Sequence, residues 1–441
     1  MTEEIRSIPL SGPVDARATV PGSKSLTNRS LLIAALAEGT SVLTGALDSE
    51  DTQIMFAALK QLGLTVQHDQ ATCTMTIEGQ GGIFPVKKAE IYVGNSGTTA
   101  RFLTAALARS DGYYRIYGKP RMHERPIGDL VRALLELGAD VVSEAGNEAP
   151  PLRIRGRRDL KGMANVSAGI SSQYLSGLLM MSVGSPEAIV LNVDGELVSR
   201  PYIEMTLANM KAFGAEVQTD AAFRRFSGFE KTRYLPGTYA IEPDASAASY
   251  FFAIPAVVGG RVTIPGLSRK SLQGDVGFVE CLAAMGCNVV WGENEITVER
   301  PVLSSGQLAP LIGIDVDMNE ISDTVQTLSV VAMFAESPTR IRNVAHIRHK
   351  ETDRIAAVVS QLRKFGTAVD EFDDGLLIRA HAGQKLTGAT VETFDDHRMA
   401  MSFSLAGLVL PGTKIENPRC TEKTYPAFFD DLAKVVVPIG E

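Results

Sequence analysis

The sequence predicts an α/β protein with two domains, each built from three βαβαββ-like units. The chain has 441 residues, which is too long for one ordinary hydrophobic core. An apolar helix that ends in glycine and leads into a short valine-containing strand occurs five times, roughly 75 residues apart. Each period also carries a second helix upstream, and the period is much longer than that of the usual solenoid repeats.

The glycines follow the C-terminal ends of the helices, where a left-handed residue is common. They are Gly63, Gly138, Gly214, Gly286 and Gly366. The second helices are predicted over 98–108, 172–181, 245–258 and 323–335. A sixth copy is expected near the C-terminus, where 428–437 is typical of a terminal helix whose cap is not recognisable. The turn-rich stretch 234–239 is a candidate domain boundary.

Composition argues against several classes of protein. Hydrophobic residues make up 45% and charged residues 21% of the chain, the balance of a soluble globular protein. The formal net charge is −8 and no basic block offsets it, so we expect neither a nucleic-acid nor an anionic-membrane surface. The four cysteines have no CxxC or CxxH spacing, so we expect neither disulfides nor structural zinc. Without a signal, transit or membrane-spanning pattern, we expect a cytoplasmic protein or a mature form that has lost its targeting segment.

The segment 343–354 concentrates cations and carboxylates just before an apolar run. Lys350 and Arg354 are four residues apart, so a helix would project them from the same face, with Glu351 beside Lys350. Such a cluster at a helix start could hold a multiply charged anion and move a proton next to it. A solvated, salt-bridged helix end is the alternative interpretation.

Similar clusters of small, polar and basic residues occur at predicted helix starts along the chain. In 21–29, Gly22 allows a tight turn, Ser23 or Ser25 can cap the helix, and free backbone N–H groups favour an anion. A single cluster is more often a helix cap than a site, but cations at helix N-termini oppose the helix dipole unless an anion lies between them. The clusters are 21–29, 94–101, 121–126, 169–174, 199–202, 320–324, 350–354, 395–399 and 420–425.

The residue types in these clusters indicate the chemistry. Cations, hydroxyls, one glutamine and a few carboxylates suit the binding of phosphates and carboxylates and the transfer of a proton without metal. The sequence has no zinc-binding HExxH, no GxSxG elbow and no Walker A loop. We therefore expect no metal and no cofactor.

The clusters closely resemble the motifs of the 5-enolpyruvylshikimate-3-phosphate synthase family, the enolpyruvyl transferases of the shikimate pathway. They span almost the whole chain in the family's order. The matching motifs are PGSKSxxxR at 21–29, GNSGT at 94–98, RxxxRP at 121–126, SSQ at 171–173, SRPY at 199–202, KETDR at 350–354, DHRMA at 396–400 and KT at 423–424.

This resemblance implies the arrangement of the fold. The family has a two-domain enolpyruvyl transferase fold with six βαβαββ repeats, three per domain about a pseudo-threefold axis, and a cleft between the domains. The implied N-terminal domain covers 22–240, and the implied C-terminal domain covers 1–21 together with 241–441. A hinge is expected near 21 and 241.

The resemblance also implies a reaction between shikimate 3-phosphate and phosphoenolpyruvate. The 5-hydroxyl attacks C2 of the enol, C3 takes up a proton, and phosphate leaves the tetrahedral intermediate. Residues implied for shikimate 3-phosphate are Lys24, Ser25, Arg29, Ser171, Ser172, Gln173, Ser199, Tyr202, Asp323 and Lys350. Residues implied for phosphoenolpyruvate are Lys24, Asn95, Gly97, Arg125, Gln173, Arg354, Arg398 and Lys423. The implied catalytic residues are Asp323, as proton acceptor at the 5-hydroxyl, and Glu351 with Lys24 or Lys423, near C3.

Two positions carry finer expectations. His346, four residues before Lys350, stands where some family members have Asn and others differ. It could donate a hydrogen bond to the substrate or line the rim of the site, and we expect the rim. Gly97 followed by Thr98 resembles glyphosate-sensitive members, because glycine leaves room for an inhibitor slightly longer than phosphoenolpyruvate. Glyphosate is therefore an expected inhibitor, and the resemblance also implies a monomer.

Two alternative functions compete with this one. The sister enolpyruvyl transferase that acts on UDP-N-acetylglucosamine starts with Lys-Asn and usually has a reactive Cys on a mobile loop. This chain has Lys24-Ser25 instead, and no Cys between 110 and 121. The second alternative is a catalytically inactive anion-binding homologue, against which the presence of Lys24, Arg125, Asp323, Glu351 and Arg398 argues.

Overall fold

The chain divides into two compact units in the computed structural model, which describes residues 4–167, 169–195 and 197–439. The middle unit is Gly22–Ile241, and the terminal unit is Met1–Pro21 together with Glu242–Glu441. Helices and strands alternate in both units, so the predicted α/β class is confirmed.

Short strands precede the first helix of the chain, and helices are then interspersed with single strands or runs of three strands. The strands before Pro21 are β1 (Ile5–Ser7), β2 (Ser11–Gly12) and β3 (Val14–Arg17). The middle unit contains α1 (Lys24–Leu36), β4 (Glu38–Thr44), α2 (Glu50–Gln61), β5 (Thr65–Asp69), β6 (Thr74–Gln80), β7 (Lys88–Tyr92), α3 (Gly97–Ala108), β8 (Gly112–Tyr117), α4 (Gly128–Glu136), β9 (Asp140–Ser143), β10 (Leu152–Gly156), β11 (Gly162–Ser167), α5 (Ser172–Ser182), β12 (Ile189–Asp194), α6 (Arg200–Ala212), β13 (Gln218–Thr219), β14 (Arg225–Ser227) and β15 (Thr238–Ala240). The terminal unit continues with α7 (Ala245–Val258), β16 (Gly260–Pro265), α8 (Phe278–Ala284), β17 (Asn288–Trp291), β18 (Glu295–Arg300), β19 (Asp315–Asp317), α9 (Val325–Ala332), β20 (Thr339–Arg342), α10 (Arg354–Lys364), β21 (Val369–Phe372), β22 (Gly375–Ile378), β23 (Thr390–Val391), α11 (His397–Gly407), β24 (Lys414–Glu416), α12 (Phe428–Val435) and β25 (Val437–Pro438).

One strand order recurs among the four-stranded sheets. In the sheet β7-β8-β10-β9, β7 and β8 run parallel, and β10 pairs antiparallel with both β8 and β9. Along the chain this is β7-α3-β8-α4-β9-β10, which is one βαβαββ unit. The same order is found in the sheets β11-β12-β14-β13, β15-β4-β6-β5, β3-β16-β18-β17 and β19-β20-β22-β21. The last segment differs, because β1 joins β24 and β23 in a three-stranded sheet and β2 pairs with β25.

The predicted glycine caps are confirmed. Each of the five glycines that follow a helix has a positive φ, between 83° for Gly214 and 108° for Gly286. Only glycine adopts this conformation without a steric cost. The helix predicted over 323–335 is shorter than expected, since Asn319–Thr324 forms a 3-10 turn in which Ile321 has a non-helical φ of −126°.

Inner helices form the core of each unit. In the terminal unit α7, α9 and α11 pack against one another and are buried along their whole length. A short chain of buried hydroxyls joins them, with Ser249 and Thr327 3.2 Å apart and Thr327 and Ser402 also 3.2 Å apart. In the middle unit α3 is buried along its whole length, α1 is buried from Leu26 to Leu36, and α5 is buried except at Gln173.

No helix within residues 4–167, 169–195 and 197–439 is long and apolar enough to cross a membrane. No group of three His, Cys, Asp or Glu side chains in the same ranges could hold a metal ion.

Candidate active site

Helix starts carry most of the predicted residues of the middle unit. The first residues of α1, α3 and α5 are Lys24, Gly97 and Ser172. Each helix is capped by the hydroxyl of the preceding serine, namely Ser23, Ser96 or Ser171, which accepts a hydrogen bond from a first-turn N–H. The N–H groups and the dipole of a helix start favour an anion, so these positions suit phosphate and carboxylate groups.

Lys24 lies beside a buried carboxylate. Its Nζ is 3.9 Å from Oδ2 of Asp51. Close packing explains Gly22, because a Cβ there would lie 1.9 Å from the carbonyl oxygen of Gly45. The turn before Lys24 therefore accepts glycine alone, and this fixes where the lysine leaves the backbone.

Arg29 is a buried guanidinium that holds three helices together. Its Nε donates to Oγ1 of Thr206 at 2.7 Å, and Nη1 donates to the carbonyl of Ser25 at 3.0 Å. Nη2 donates to Oγ of Ser176 at 3.3 Å and to the carbonyl of Tyr202 at 3.4 Å. Burial lowers the pKa of Arg29 to about 10, so the group stays charged at neutral pH. These contacts tie α1 to α5 and α6, and a direct bond to shikimate 3-phosphate stays a prediction.

Arg125 is held against Asn95. Its Nη1 donates to the backbone carbonyl of Asn95 at 2.9 Å and to the side-chain oxygen at 3.2 Å. Gly97 leaves space for two guanidiniums, since a Cβ on Gly97 would lie 2.5 Å from Nη2 of Arg125 and 2.3 Å from Nη1 of Arg101. Any larger residue at position 97 must displace both of them.

The remaining predicted residues of the middle unit lie at the starts of α5 and α6. Nε2 of Gln173 donates to Oγ1 of Thr98 at 3.3 Å, which links α5 to α3. Ser199 precedes α6 in the left-handed region, with φ 54° and ψ 47°, which is uncommon outside glycine. The ring of Tyr202 lies 5.8 Å from the guanidinium carbon of Arg29. A strained serine at a helix start is typical of functional sites.

In the terminal unit, Arg354 binds three carboxylates. Nε donates to Oδ2 of Asp396 at 2.8 Å, Nη1 to Oδ1 of Asp323 at 3.0 Å, and Nη2 to Oε2 of Glu351 at 2.8 Å. Burial opposes the charge, but the three carboxylates outweigh it and raise the pKa of Arg354. The side chain is 2% exposed, so the alternative of a solvated helix end is wrong for this residue.

A second guanidinium shares Asp323. Nη2 of Arg398 donates to Oδ2 of Asp323 at 2.6 Å, and its Nη1 donates to the hydroxyl oxygen of Tyr250 at 3.3 Å. The backbone N–H of Arg398 donates to Oδ1 of Asp396, which caps α11. The predicted proton acceptor therefore has a cation on each carboxylate oxygen.

Glu351 joins a lysine to this network. Nζ of Lys423 is 3.0 Å from Oε1 of Glu351, whose other oxygen accepts from Arg354. His397, which lies between Asp396 and Arg398 in the sequence, is also buried. Burial and the charge of Arg398 lower the pKa of His397 well below its usual value. A protonated lysine and a carboxylate in direct contact can exchange a proton with a bound substrate.

The prediction that Lys350 and Arg354 share a helix face was wrong. Ala345–His349 is a 3-10 helix, and α10 begins only at Arg354. The helix starts there because the side chain of Asp353 accepts a hydrogen bond from the N–H of Ala356 at 3.1 Å.

His346 lies buried against the turn that carries the proton acceptor. Its Nε2 is 2.9 Å from Oγ of Ser322, the residue before Asp323. Burial and the charge of Lys350 lower the pKa of His346 to about 3, so its imidazole is neutral at pH 7.

Sequence reasoning gave no role to several residues that contact the predicted ones, among them Asp51, Arg101, Tyr250 and Asp396. Arg101 follows Gly97 by four residues, so helical spacing alone could have found it. Asp396 stands inside a matched motif, two residues before Arg398. Asp51 and Tyr250 lie far along the chain from Lys24 and Arg398, and no spacing indicates them.

These features define the class of protein. An α/β fold presents capped helix starts with cations in one unit, and guanidiniums, a lysine and carboxylates in mutual contact in the other. Each set suits the binding of phosphate and carboxylate groups, and the second also suits proton transfer, which is the chemistry of a group transferase.

The chain belongs to the family of EPSP synthase (3-phosphoshikimate 1-carboxyvinyltransferase), whose sequence profile matches residues 9–432. The chain is therefore an enzyme of the shikimate pathway that transfers the enolpyruvyl group of phosphoenolpyruvate to shikimate 3-phosphate. This function is favoured over both alternatives.

Named relatives and solved structures agree with the family. The chain is 45% identical over 428 residues to the 3-phosphoshikimate 1-carboxyvinyltransferase of Trichormus variabilis, covering 97% of this chain and 98% of the relative. It is 45% identical over 428 residues to the chloroplastic enzyme of Petunia hybrida, covering 95% and 83%. The structure of EPSP synthase from Acinetobacter baumannii is similar with a TM-score of 0.80 at 25% identity, covering 100% and 99%. The enolpyruvyl transferase NikO from Streptomyces tendae shares the fold, with a TM-score of 0.74 at 17% identity, covering 98% and 97%.

Proposed function

We propose that Asp323 accepts the proton of the 5-hydroxyl of shikimate 3-phosphate as that oxygen attacks C2 of phosphoenolpyruvate. The observation that carries the proposal is the pair of bonds on Asp323, from Arg354 at 3.0 Å and from Arg398 at 2.6 Å. An anionic substrate that draws one guanidinium away frees a carboxylate oxygen for the hydroxyl. Substrate binding would then uncover the base at the moment when it is needed.

Glu351 and Lys423 are proposed to donate and accept the proton at C3 of phosphoenolpyruvate, and Lys24 is the alternative donor. In the addition step C3 gains a proton while a bond forms between C2 and the 5-oxygen of shikimate 3-phosphate. In the elimination step C3 loses a proton, and the C2–O bond to phosphate breaks. The proton of the 5-hydroxyl leaves with phosphate in the overall balance. The contact of 3.0 Å between Lys423 and Glu351 supports a donor and an acceptor side by side.

Cations are proposed to hold both anionic groups of phosphoenolpyruvate. A planar guanidinium can bind a carboxylate or a phosphate through two parallel hydrogen bonds, whereas a lysine acts as a point charge. The proposed phosphoenolpyruvate residues are Lys24, Asn95, Gly97, Arg125, Gln173, Arg354, Arg398 and Lys423.

Hydroxyls at helix starts are proposed to hold shikimate 3-phosphate. The strained backbone of Ser199 and the capping position of Ser171 support this role, because each sets a hydroxyl at a helix N-terminus. Tyr202 would pack against the ring. The proposed residues are Lys24, Ser25, Arg29, Ser171, Ser172, Gln173, Ser199, Tyr202, Asp323 and Lys350.

Glyphosate is proposed as an inhibitor that competes with phosphoenolpyruvate. The tight space around Gly97 supports this proposal, since a side chain there would crowd Arg125. A monomeric state and a cytoplasmic location stay predictions, as do a domain boundary and a hinge near residues 21 and 241.

Release of phosphate in the presence of both substrates tests the function. Lys24→Ala and Arg125→Ala should each lose about 3 kcal/mol of transition-state stabilisation, a factor of about 100 in kcat/KM. Asp323→Asn keeps the shape of the side chain but should lower kcat by about 10² to 10⁴. Glu204→Gln is a matched control, because it removes only an exposed ion pair with Arg200.

Two results would contradict the proposal. Near-normal kcat/KM in the Lys24 and Arg125 variants would remove those residues from the site. Phosphate release with UDP-N-acetylglucosamine in place of shikimate 3-phosphate would instead favour the sister enzyme.

A further inference from the structure

Two hydrogen bonds fix the loop that carries Arg125, and both are made to the following residue, Pro126. The carbonyl oxygen of Pro126 accepts one hydrogen bond from the hydroxyl of Tyr174 at 2.6 Å and another from Nη2 of Arg101 at 3.0 Å. Both lone pairs of this oxygen are therefore used. The two donors come from different helices, Arg101 from α3 and Tyr174 from α5, and both side chains are buried.

The placement of Arg101 costs the fold free energy. The side chain is 3% exposed, and its Nε and Nη1 have no hydrogen-bond partner among the described residues. Unused donors on a buried guanidinium are destabilising. The guanidinium of Arg101 also lies close to that of Arg125. A Cβ on Gly97 would be within 2.5 Å of both Nη1 of Arg101 and Nη2 of Arg125. Packing alone does not explain two neighbouring buried cations.

We propose that Arg101 and Tyr174 are positioning residues, which fix the carbonyl of Pro126 and thereby hold the guanidinium of Arg125 beside Asn95. The inference rests on the proposed role of Arg125 in binding phosphoenolpyruvate.

The constraint on the Pro126 carbonyl reaches Arg125 through the single peptide unit that joins the two residues. Proline fixes its own φ, and the residue before a proline is restricted to extended conformations. Once the Pro126 carbonyl is fixed from both sides, the backbone of Arg125 has few alternatives. Its Nη1 then reaches the two oxygens of Asn95, at 2.9 and 3.2 Å. Loss of one anchor should loosen the guanidinium without removing it.

Tyr174→Phe is the most selective test, because it removes the hydroxyl that donates to Pro126 but keeps the aromatic ring and leaves the charge of Arg101 in place. We expect KM for phosphoenolpyruvate to rise about fivefold, the factor that corresponds to one net hydrogen bond of about 1 kcal/mol. KM for shikimate 3-phosphate and kcat at saturation should stay within about twofold. Arg101→Gln should raise KM for phosphoenolpyruvate by about tenfold or more, and Arg101→Lys should restore part of the loss because it keeps the charge.

The middle unit offers a matched control for each variant. The hydroxyl of Tyr234 donates to the carbonyl of Met180 at 3.0 Å, so Tyr234→Phe removes the same kind of buried bond. Nη1 of Arg109 donates to the carbonyls of Ser182 and Val183 at 3.3 and 2.9 Å, so Arg109→Gln matches Arg101→Gln. The controls should lower Tm by a similar amount and leave KM for phosphoenolpyruvate unchanged.

Arg125→Lys separates failure of this inference from failure of the proposed function. If Arg125→Lys raises KM for phosphoenolpyruvate while Tyr174→Phe and Arg101→Gln do not, the positioning role is refuted and the function stands. If Arg125→Lys leaves KM unchanged, the role of Arg125 fails and the inference fails with it. A rise in both KM values, or the same rise in the Tyr234 and Arg109 controls, indicates a general structural effect and also refutes the inference.

Discussion

Replacement of Asp396 tests the charge network of the terminal unit. Asp396 is 0% exposed and accepts hydrogen bonds from Arg354, from Nε at 2.8 Å and from Nη2 at 3.4 Å. It also caps α11 by accepting the N–H of Arg398 at 2.9 Å. Asp396→Asn keeps the shape and one acceptor oxygen but removes the charge, whereas Asp396→Ala removes both.

The contacts set the size of the effect. One hydrogen bond between charged groups contributes about 1.5–3 kcal/mol, and the contact of 3.4 Å is too long to add much. Loss of a helix cap costs about 1 kcal/mol. Arg354 keeps Asp323 and Glu351, so the cost of leaving a buried charge wholly unpaired does not apply. We therefore expect a loss of about 2 kcal/mol for Asn and about 3 kcal/mol for Ala.

The single tryptophan provides the assay. Trp291 lies in β17 of the terminal unit, so its fluorescence during urea unfolding reports the unit that contains Asp396. The free energy of unfolding should fall by the stated amounts, with the dependence on urea concentration unchanged.

Asp353→Asn is the matched control. Asp353 also caps a helix of the same unit and pairs with an arginine, Arg348, at 2.8 Å, but its side chain is 41% exposed. An exposed pair contributes about 1 kcal/mol at most. Equal losses in Asp396→Asn and Asp353→Asn would refute the reasoning that burial of the ion pair determines the cost.

Two further predictions concern acid stability and the space at Gly97. His346 has a pKa of about 3 in the folded protein and an ordinary value of 6.5, so the unfolded chain binds the proton first as pH falls. Its contribution to stability is complete above pH 6.5 and declines by about 1.4 kcal/mol per pH unit towards pH 3. In His346→Gln the free energy of unfolding, measured with urea, should fall less steeply between pH 6.5 and pH 3, by the slope that corresponds to about one proton. An unchanged slope would contradict this. Gly97→Ala should raise KM for phosphoenolpyruvate by about tenfold and weaken inhibition by glyphosate, because its Cβ would lie 2.5 Å from Nη2 of Arg125. Unchanged kinetics in this variant would show that Arg125 moves aside without cost.

Local features of the fold could be predicted from the sequence. A glycine after a helix and a serine before one act through the backbone of their own turn, so their consequences do not depend on the rest of the fold. The incorrect prediction that a helix includes Lys350 could also have been avoided from local sequence alone. Asp353 is a strong N-cap residue, and reading it as a cap would have placed the helix start at Arg354.

The partners of the buried charges could not be predicted in this way. Arg354 reaches Asp323 and Asp396, which lie 31 and 42 residues away along the chain, and Arg29 reaches Thr206 across 177 residues. Which carboxylate or hydroxyl meets a given guanidinium depends on how the helices pack, and helical spacing carries no information about that. Sequence motifs therefore identified the cations, while the structure was needed to find what holds them in place.

The terminal unit draws its strands from both ends of the chain, which constrains the order of events during biosynthesis. Val14 of β3 pairs with Gly260, and Ile5 of β1 pairs with Glu416, so these strands emerge from the ribosome long before their partners. The middle unit has all its strands between residues 22 and 241 and can be completed first. The leading segment must stay unpaired without aggregating until residues 260 and 416 have also been synthesised, and its short strands and charged residues reduce the risk of aggregation in that interval.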